Sequence, residues 1–186
     1  MSIHEIVLPE TKPETEWILG RPVQKVSPFR THSRLQTRLV LELSPWAEGR
    51  GEVGCEWRFR VAPPGEIRRP LVPDVAYVSY ERLAGLVGRD LEVPPFAPDV
   101  AFEVLSPGDV PRHVAHKIAV YLATGAALVV VVQPRDRTVH LHDARGEHVL
   151  RGDDVLAHPA LPGFALGLPA LFAAADPPCQ PAKAPR

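Results

Sequence analysis

The sequence predicts an α/β fold with a central mixed sheet flanked by helices and extra N-terminal and C-terminal strands. Three runs, residues 71–79, 99–105 and 126–132, are apolar on both faces and bounded by Pro or Gly, as expected of strands covered from both sides. Between the last two, Val114, Ile118, Tyr121 and Leu122 recur at helical spacing, so a helix is expected to cross over the sheet there. An earlier stripe of Leu35, Leu39, Leu43 and Trp46 supplies a second covering helix. With 186 residues and 45% hydrophobic content, the chain has enough apolar surface for one sizeable core.

In chain order, Trp17-Ile18-Leu19-Gly20-Arg21-Pro22-Val23 reads as a short strand, a Gly turn and a return, and Pro22 restricts the return to an edge. The first helix is expected to start at Thr31 or Ser33 and close at Gly49, with His32 near its start. Val53, Cys55, Trp57, Phe59 and Val61 then alternate with Glu52, Gly54, Glu56, Arg58 and Arg60, the period of one strand with a wet face. This pattern assigns Cys55 to the core. The helix over 111–124 has Asp109 as its candidate cap and Gly125 as its terminator. Residues 138–142 follow as a hairpin partner across Pro134-Arg135-Asp136-Arg137. One domain is expected over residues 1–172, and the Ala- and Pro-rich 173–186 reads as a disordered tail.

Composition excludes several classes. A net charge of -1 argues against a strongly basic protein that coats nucleic acid. No apolar run reaches the roughly 18 residues of a membrane span and the first residues are acidic, so a cytoplasmic protein without membrane partners is expected. The two cysteines, Cys55 and Cys179, have no metal-like spacing. There is no Gly-rich phosphate loop, no Gly-x-Ser-x-Gly elbow and no zinc-protease helix. Cations are mostly Arg, and Lys117 is the one lysine between Lys25 and Lys183.

Acidic residues nevertheless fall inside runs that read as buried strands. The segments are Pro73-Asp74-Val75-Ala76-Tyr77-Val78 and Pro98-Asp99-Val100-Ala101-Phe102-Glu103-Val104-Leu105-Ser106-Pro107. An unpaired carboxylate there costs several kcal/mol, so a metal, a cation or a catalytic role is expected. If the two strands are antiparallel, Asp74 lies opposite Glu103. Asp99 shares the face of Glu103, but their α-carbons stand roughly 13 Å apart.

With Lys117, Tyr121, Gly125 and the closing Leu161-Pro162-Gly163-Phe164, these segments resemble the PD-(D/E)XK nuclease superfamily and, within it, the Uma-type family of restriction-endonuclease-like proteins. The resemblance runs from about Glu16 to Phe172. It implies a restriction-endonuclease-like core and a metal-dependent DNA endonuclease, with Asp74 and Glu103 holding Mg²⁺ or Mn²⁺ and the backbone carbonyl of Val104 as a third ligand. The superfamily lysine belongs two residues after Glu103, where this chain has Leu105, and the resemblance moves that role to Lys117 on the following helix. His32 matches a histidine common at the start of the first helix in this family, and Asp99 and Tyr121 are supporting candidates. Homodimers are frequent among nucleases that cut both strands.

Each residue also has a plainer role. Asp74 suits a turn after Pro73, Glu103 a structural ion pair with Arg, Lys117 a solvated helix edge, Tyr121 core packing, His32 a first helical turn and Asp99 a strand start. His113 with His116, and His140 with His142, form candidate metal pairs that lack a third ligand in the sequence, so surface histidines are the default. Arg30, Arg34 and Arg38 form the best local basic stripe. The alternative function is a noncatalytic nucleic-acid- or protein-binding scaffold of the same fold.

Overall fold

A computed structural model describes residues 5–177. After a hairpin of β1 (Thr15–Ile18) and β2 (Arg21–Gln24) comes α1 (Arg30–Ala47), then β3 (Gly51–Cys55), β4 (Phe59–Val61), β5 (Arg69–Leu71) and β6 (Val75–Ser79). Two short helices, α2 (Tyr80–Leu83) and α3 (Arg89–Glu92), lead to β7 (Val100–Val104), α4 (Pro111–Ala123), β8 (Leu128–Gln133), β9 (Thr138–Asp143) and β10 (Gly146–Arg151). The remaining elements are β11 (Val155–Leu156), β12 (Leu166–Gly167) and α5 (Leu168–Ala173).

Six strands form the central sheet in the order β10-β9-β8-β7-β6-β3. It is mixed, as expected, because β7 and β8 run parallel and every other neighbouring pair is antiparallel. The parallel pair requires a crossover, and α4 supplies it. Even-numbered residues of β7 (Val100, Phe102, Val104) pack with Leu35, Leu39 and Leu43 of α1 and with Leu168 and Phe172 of α5. On the opposite face, Ala101 joins Val129 and Val131 of β8, Val120 and Tyr121 of α4, and Ile18 and Phe59 from the flanking hairpins. Glu103 belongs by alternation to this second face.

Four expectations are corrected. The alternating run through residues 53–61 is not one strand: Glu56 takes a positive φ of 48°, separating β3 from β4, and Cys55 is exposed at the end of β3. The apolar run 71–79 also splits, with β5 pairing to β4 and β6 to the central sheet. Pro73 has no amide hydrogen, and the amide of Val72 donates to the side chain of Glu16 at 2.7 Å instead of to a ladder. Asp109 does not cap α4; its carboxylate accepts from the amide of Ser106 at 2.6 Å, and Val110 occupies the cap position.

The hairpin turn consists of Leu19 and Gly20, both at positive φ (49° and 80°), as a two-residue primed turn requires. Residues 173–177 end α5 and turn beneath α1, where Arg30 donates to the carbonyls of Ala175 and Asp176 at 3.1 and 3.0 Å. The rest of the expected tail, including Cys179, lies outside the described residues. Arg34 reaches the carbonyl of Ala174 and Arg38 pairs with Glu42, so the basic stripe of α1 is engaged within the chain. No helix among the described residues is long and apolar enough to cross a membrane.

Gly51 lies opposite Ser79 so closely that a Cβ would fall 2.2 Å from the carbonyl oxygen of Val78. Gly51→Ala should therefore destabilise the protein by about 1–3 kcal/mol in urea unfolding. An unchanged midpoint would show that β3 shifts freely against β6.

Candidate functional site

Asp74 sits just before β6, its amide still bonded to the Phe102 carbonyl of β7 at 3.0 Å, and it is buried. Its Oδ1 accepts from Lys25 Nζ at 2.6 Å; its Oδ2 accepts from the amide of Val104 at 2.7 Å and contacts Nε2 of His32 at 3.1 Å. Gln36 of α1 donates to the Asp74 carbonyl at 2.8 Å. The side chain is thus held from the hairpin, from α1 and from β7.

Glu103 projects from β7 toward α4. Lys117 Nζ stands 2.7 and 2.8 Å from its two oxygens, and the Tyr121 hydroxyl donates to Oε1 at 3.0 Å. Because His113, Lys117 and Tyr121 lie four apart on α4, the helix that buries Tyr121 completely also carries Lys117 inward. Lys117 is itself 7% exposed, which removes the solvated-edge alternative. The partner of Glu103 is a lysine, not an arginine.

Two members of the cluster were missed in the sequence. Glu16 of β1 is buried, accepts from the Val72 amide and pairs with Lys117 at 2.9 Å. Lys25, just past β2, donates to Asp74 and to the Val72 carbonyl at 3.0 Å. The scarcity of lysine that singled out Lys117 applied equally to Lys25. Glu16 carried a signal too, since it shares a strand face with the buried Ile18. These residues line a cavity of about 180 Å³ with Asp74, Glu103, Lys117 and His32.

The structure does not bring Asp99 into this cluster. Its carboxylate accepts from the Ser79 amide at 2.7 Å and faces Arg82 at 3.4 Å, which ties the start of β7 to the end of β6. His113 contacts Arg21, Nε2 of His116 has no hydrogen-bond partner among the described residues, and no third His, Cys, Asp or Glu there joins this pair as a metal ligand.

Three buried carboxylates therefore meet two ammonium groups, and the charges set one another's protonation. Burial alone would raise the pKa of Asp74, but Lys25, the His32 hydrogen bond and Lys117 outweigh it and hold the carboxyl below the usual range. Glu103 is pushed up to about 7, by burial first; Lys117 opposes this, while Asp74 and Glu16 reinforce it. Burial would lower Lys117, yet Glu103, Glu16 and Asp74 raise it well above an ordinary lysine. Tyr121 is likewise raised by burial and by its carboxylate neighbours, so it remains a proton donor.

The mixed six-stranded sheet with its crossover helix is a nuclease-like α/β fold, as a family model and a solved structure both show. The chain belongs to the Uma2 family, whose model, described as "Putative restriction endonuclease", matches residues 4–170. A crystal structure from Anabaena variabilis, described as a putative nuclease belonging to DUF820, is similar at 25% identity with a TM-score of 0.80. The match covers 90% of this chain and 94% of that one. A comparison with curated proteins gave no match.

Lys117→Met should leave Glu103 and Glu16 buried without their shared cation and destabilise the fold by about 3–5 kcal/mol in urea unfolding. A loss below about 1 kcal/mol, the scale of an exposed pair, would show that water reaches the cluster.

Proposed function

We propose that the protein is a metal-dependent phosphodiesterase acting on DNA, with Asp74, Glu103 and Lys117 as its working residues. The observation that carries this reading is the convergence of Asp74, Glu103 and Glu16 around one small cavity in a chain of nuclease-like family and fold. Carboxylate oxygens are hard donors and suit Mg²⁺ or Mn²⁺. Asp74 and Glu103 would hold the ion with the carbonyl of Val104, which shares the strand edge from which the Val104 amide reaches Asp74. When bound, such an ion lowers the pKa of a coordinated water and polarises a phosphate.

The chain's own groups have distinct tasks. Val104 and His32 fix the orientation of Asp74, and Tyr121 fixes Glu103. Lys117 supplies a permanent positive charge beside both Glu103 and Glu16, placed to offset charge developing on a phosphate. The superfamily position at residue 105 is Leu, so this charge comes from α4. A symmetric dimer belongs to the same reading, because one site addresses one strand of a duplex.

One observation favours a second reading. Lys25 and Lys117 already stand 2.6–2.9 Å from the three carboxylates, so ammonium groups fill the places a metal cation would take. A noncatalytic scaffold of the same fold would keep this arrangement permanently.

Calorimetric titration with Mg²⁺ and Mn²⁺, alone and with a non-cleavable DNA duplex, separates the two readings. The nuclease reading expects metal binding that Asp74→Asn and Glu103→Gln abolish with folding intact, together with loss of metal-dependent DNA cleavage. DNA binding without metal uptake or turnover in the wild type would establish the scaffold. Because Glu103 is protonated below about 7, metal binding must displace that proton. Affinity should therefore rise about tenfold from pH 6 to pH 8; a pH-independent affinity would remove Glu103 from the ligand set. Lys25→Met frees Asp74 of its competing cation, and tighter Mg²⁺ binding is expected by the same titration.

A further inference from the structure

The hairpin of β9 and β10 carries a second constellation, on the α4 side of the sheet and made of residues outside the acidic cluster, although its cavity shares His32 and Leu105 with that site. His140 and His142 alternate onto one face of β9, opposite Val131 and Val129 of β8, and Glu147 of β10 lies directly across from His142. The imidazoles stack with centroids 6.4 Å apart and planes within 17°. Nδ1 of His140 is 2.6 Å and Nε2 of His142 is 3.8 Å from the same carboxylate oxygen of Glu147. One ligand atom from each residue lies within 4.8 Å of the others, and among the described residues this is the only such group of three His, Cys, Asp or Glu.

We propose that His140, His142 and Glu147 form a binding site for a borderline divalent transition ion of the Zn²⁺ class. Two imidazoles and one carboxylate are the donor set such ions prefer, whereas Mg²⁺ favours oxygen alone. Ligands of a tetrahedral ion bonded at about 2.0–2.1 Å stand about 3.4 Å apart, and the two separations here lie on either side of that value. Thr138 Oγ1 contacts Nε2 of His140 at 3.2 Å, which orients the ring with Nδ1 toward Glu147 as an outer partner of a metal ligand does. Desolvation lowers the pKa of His142, in the direction of the neutral imidazole a metal requires.

The surroundings suit an accessible site more than a buried structural one. The three residues line a cavity of about 790 Å³ shared with Leu105, Val114 and Ile118, while Glu147 remains exposed at its rim. An ion held by three protein ligands keeps a fourth position, and here that position has a largely apolar groove beside it and solvent at its edge.

The test is Zn²⁺ binding to the full chain, followed by competition with a chromophoric chelator, with Co²⁺ visible spectra as a report of the ligand set. Wild type should take up Zn²⁺ and raise its Tm, and His142→Ala and Glu147→Gln should each weaken binding at least tenfold and change the Co²⁺ bands, with circular dichroism unchanged. Asp74→Asn with Glu103→Gln should leave this binding intact. Zn²⁺ uptake that survives in His142→Ala, or that disappears with the acidic-cluster variant, would overturn the proposal. So would absence of Zn²⁺ binding to wild type at about 100 µM, an affinity near −5.5 kcal/mol.

Discussion

Glu103 sets the terms for the rest of the site. It stands in a strand whose other residues are all buried and apolar, so water solvates it poorly and another part of the chain must offset its charge. Lys117 does this from α4, at the length of a direct hydrogen bond, and Tyr121 completes the coordination one turn later. The need then propagates: one lysine beside two glutamates leaves an excess of negative charge, and Lys25 brings a second ammonium to Asp74. Even the interruption between β5 and β6 follows from it, since the amide and carbonyl of Val72 are bonded to Glu16 and to the lysines and are unavailable to a sheet ladder.

β7 separates two demands by its period of two. Val100, Phe102 and Val104 enter a core of leucine and valine against α1 and α5, where close packing governs. Ala101 and Glu103 face α4, where the alanine lets the helix approach and the glutamate meets its partners. The same division continues in β9, whose Val139 and Leu141 join the α1 side while His140 and His142 face the groove. Chemistry-bearing residues thus collect on the α4 side of the sheet.

What the sequence made legible follows from range. The strands β7 and β8 and the helix between them were readable because their patterns are local: apolar runs bounded by Pro and Gly, and a stripe at helical spacing. The antiparallel placement of Asp74 beside the end of β7 followed from topology. The break at Glu56 was hidden because polar and apolar residues kept alternating through a residue of positive φ. Glu16 and Lys25 carried only indirect signals, a shared strand face and the scarcity of lysine, and the docking of their short hairpin on β5 and α4 is what brings them near Asp74 and Glu103. Asp99 illustrates the converse, a conspicuous acid in an apolar run whose work is to receive the Ser79 amide.

The hairpin of β1 and β2 carries Glu16 and Lys25 together, one on each side of a two-residue turn. With both docked, three carboxylates face two ammonium groups; with both withdrawn, Asp74 and Glu103 face Lys117 alone. The excess of one negative charge is the same in either case. The docked hairpin therefore adds one formal negative and one formal positive charge to the site, shaping and enclosing the cavity with no net formal charge of its own.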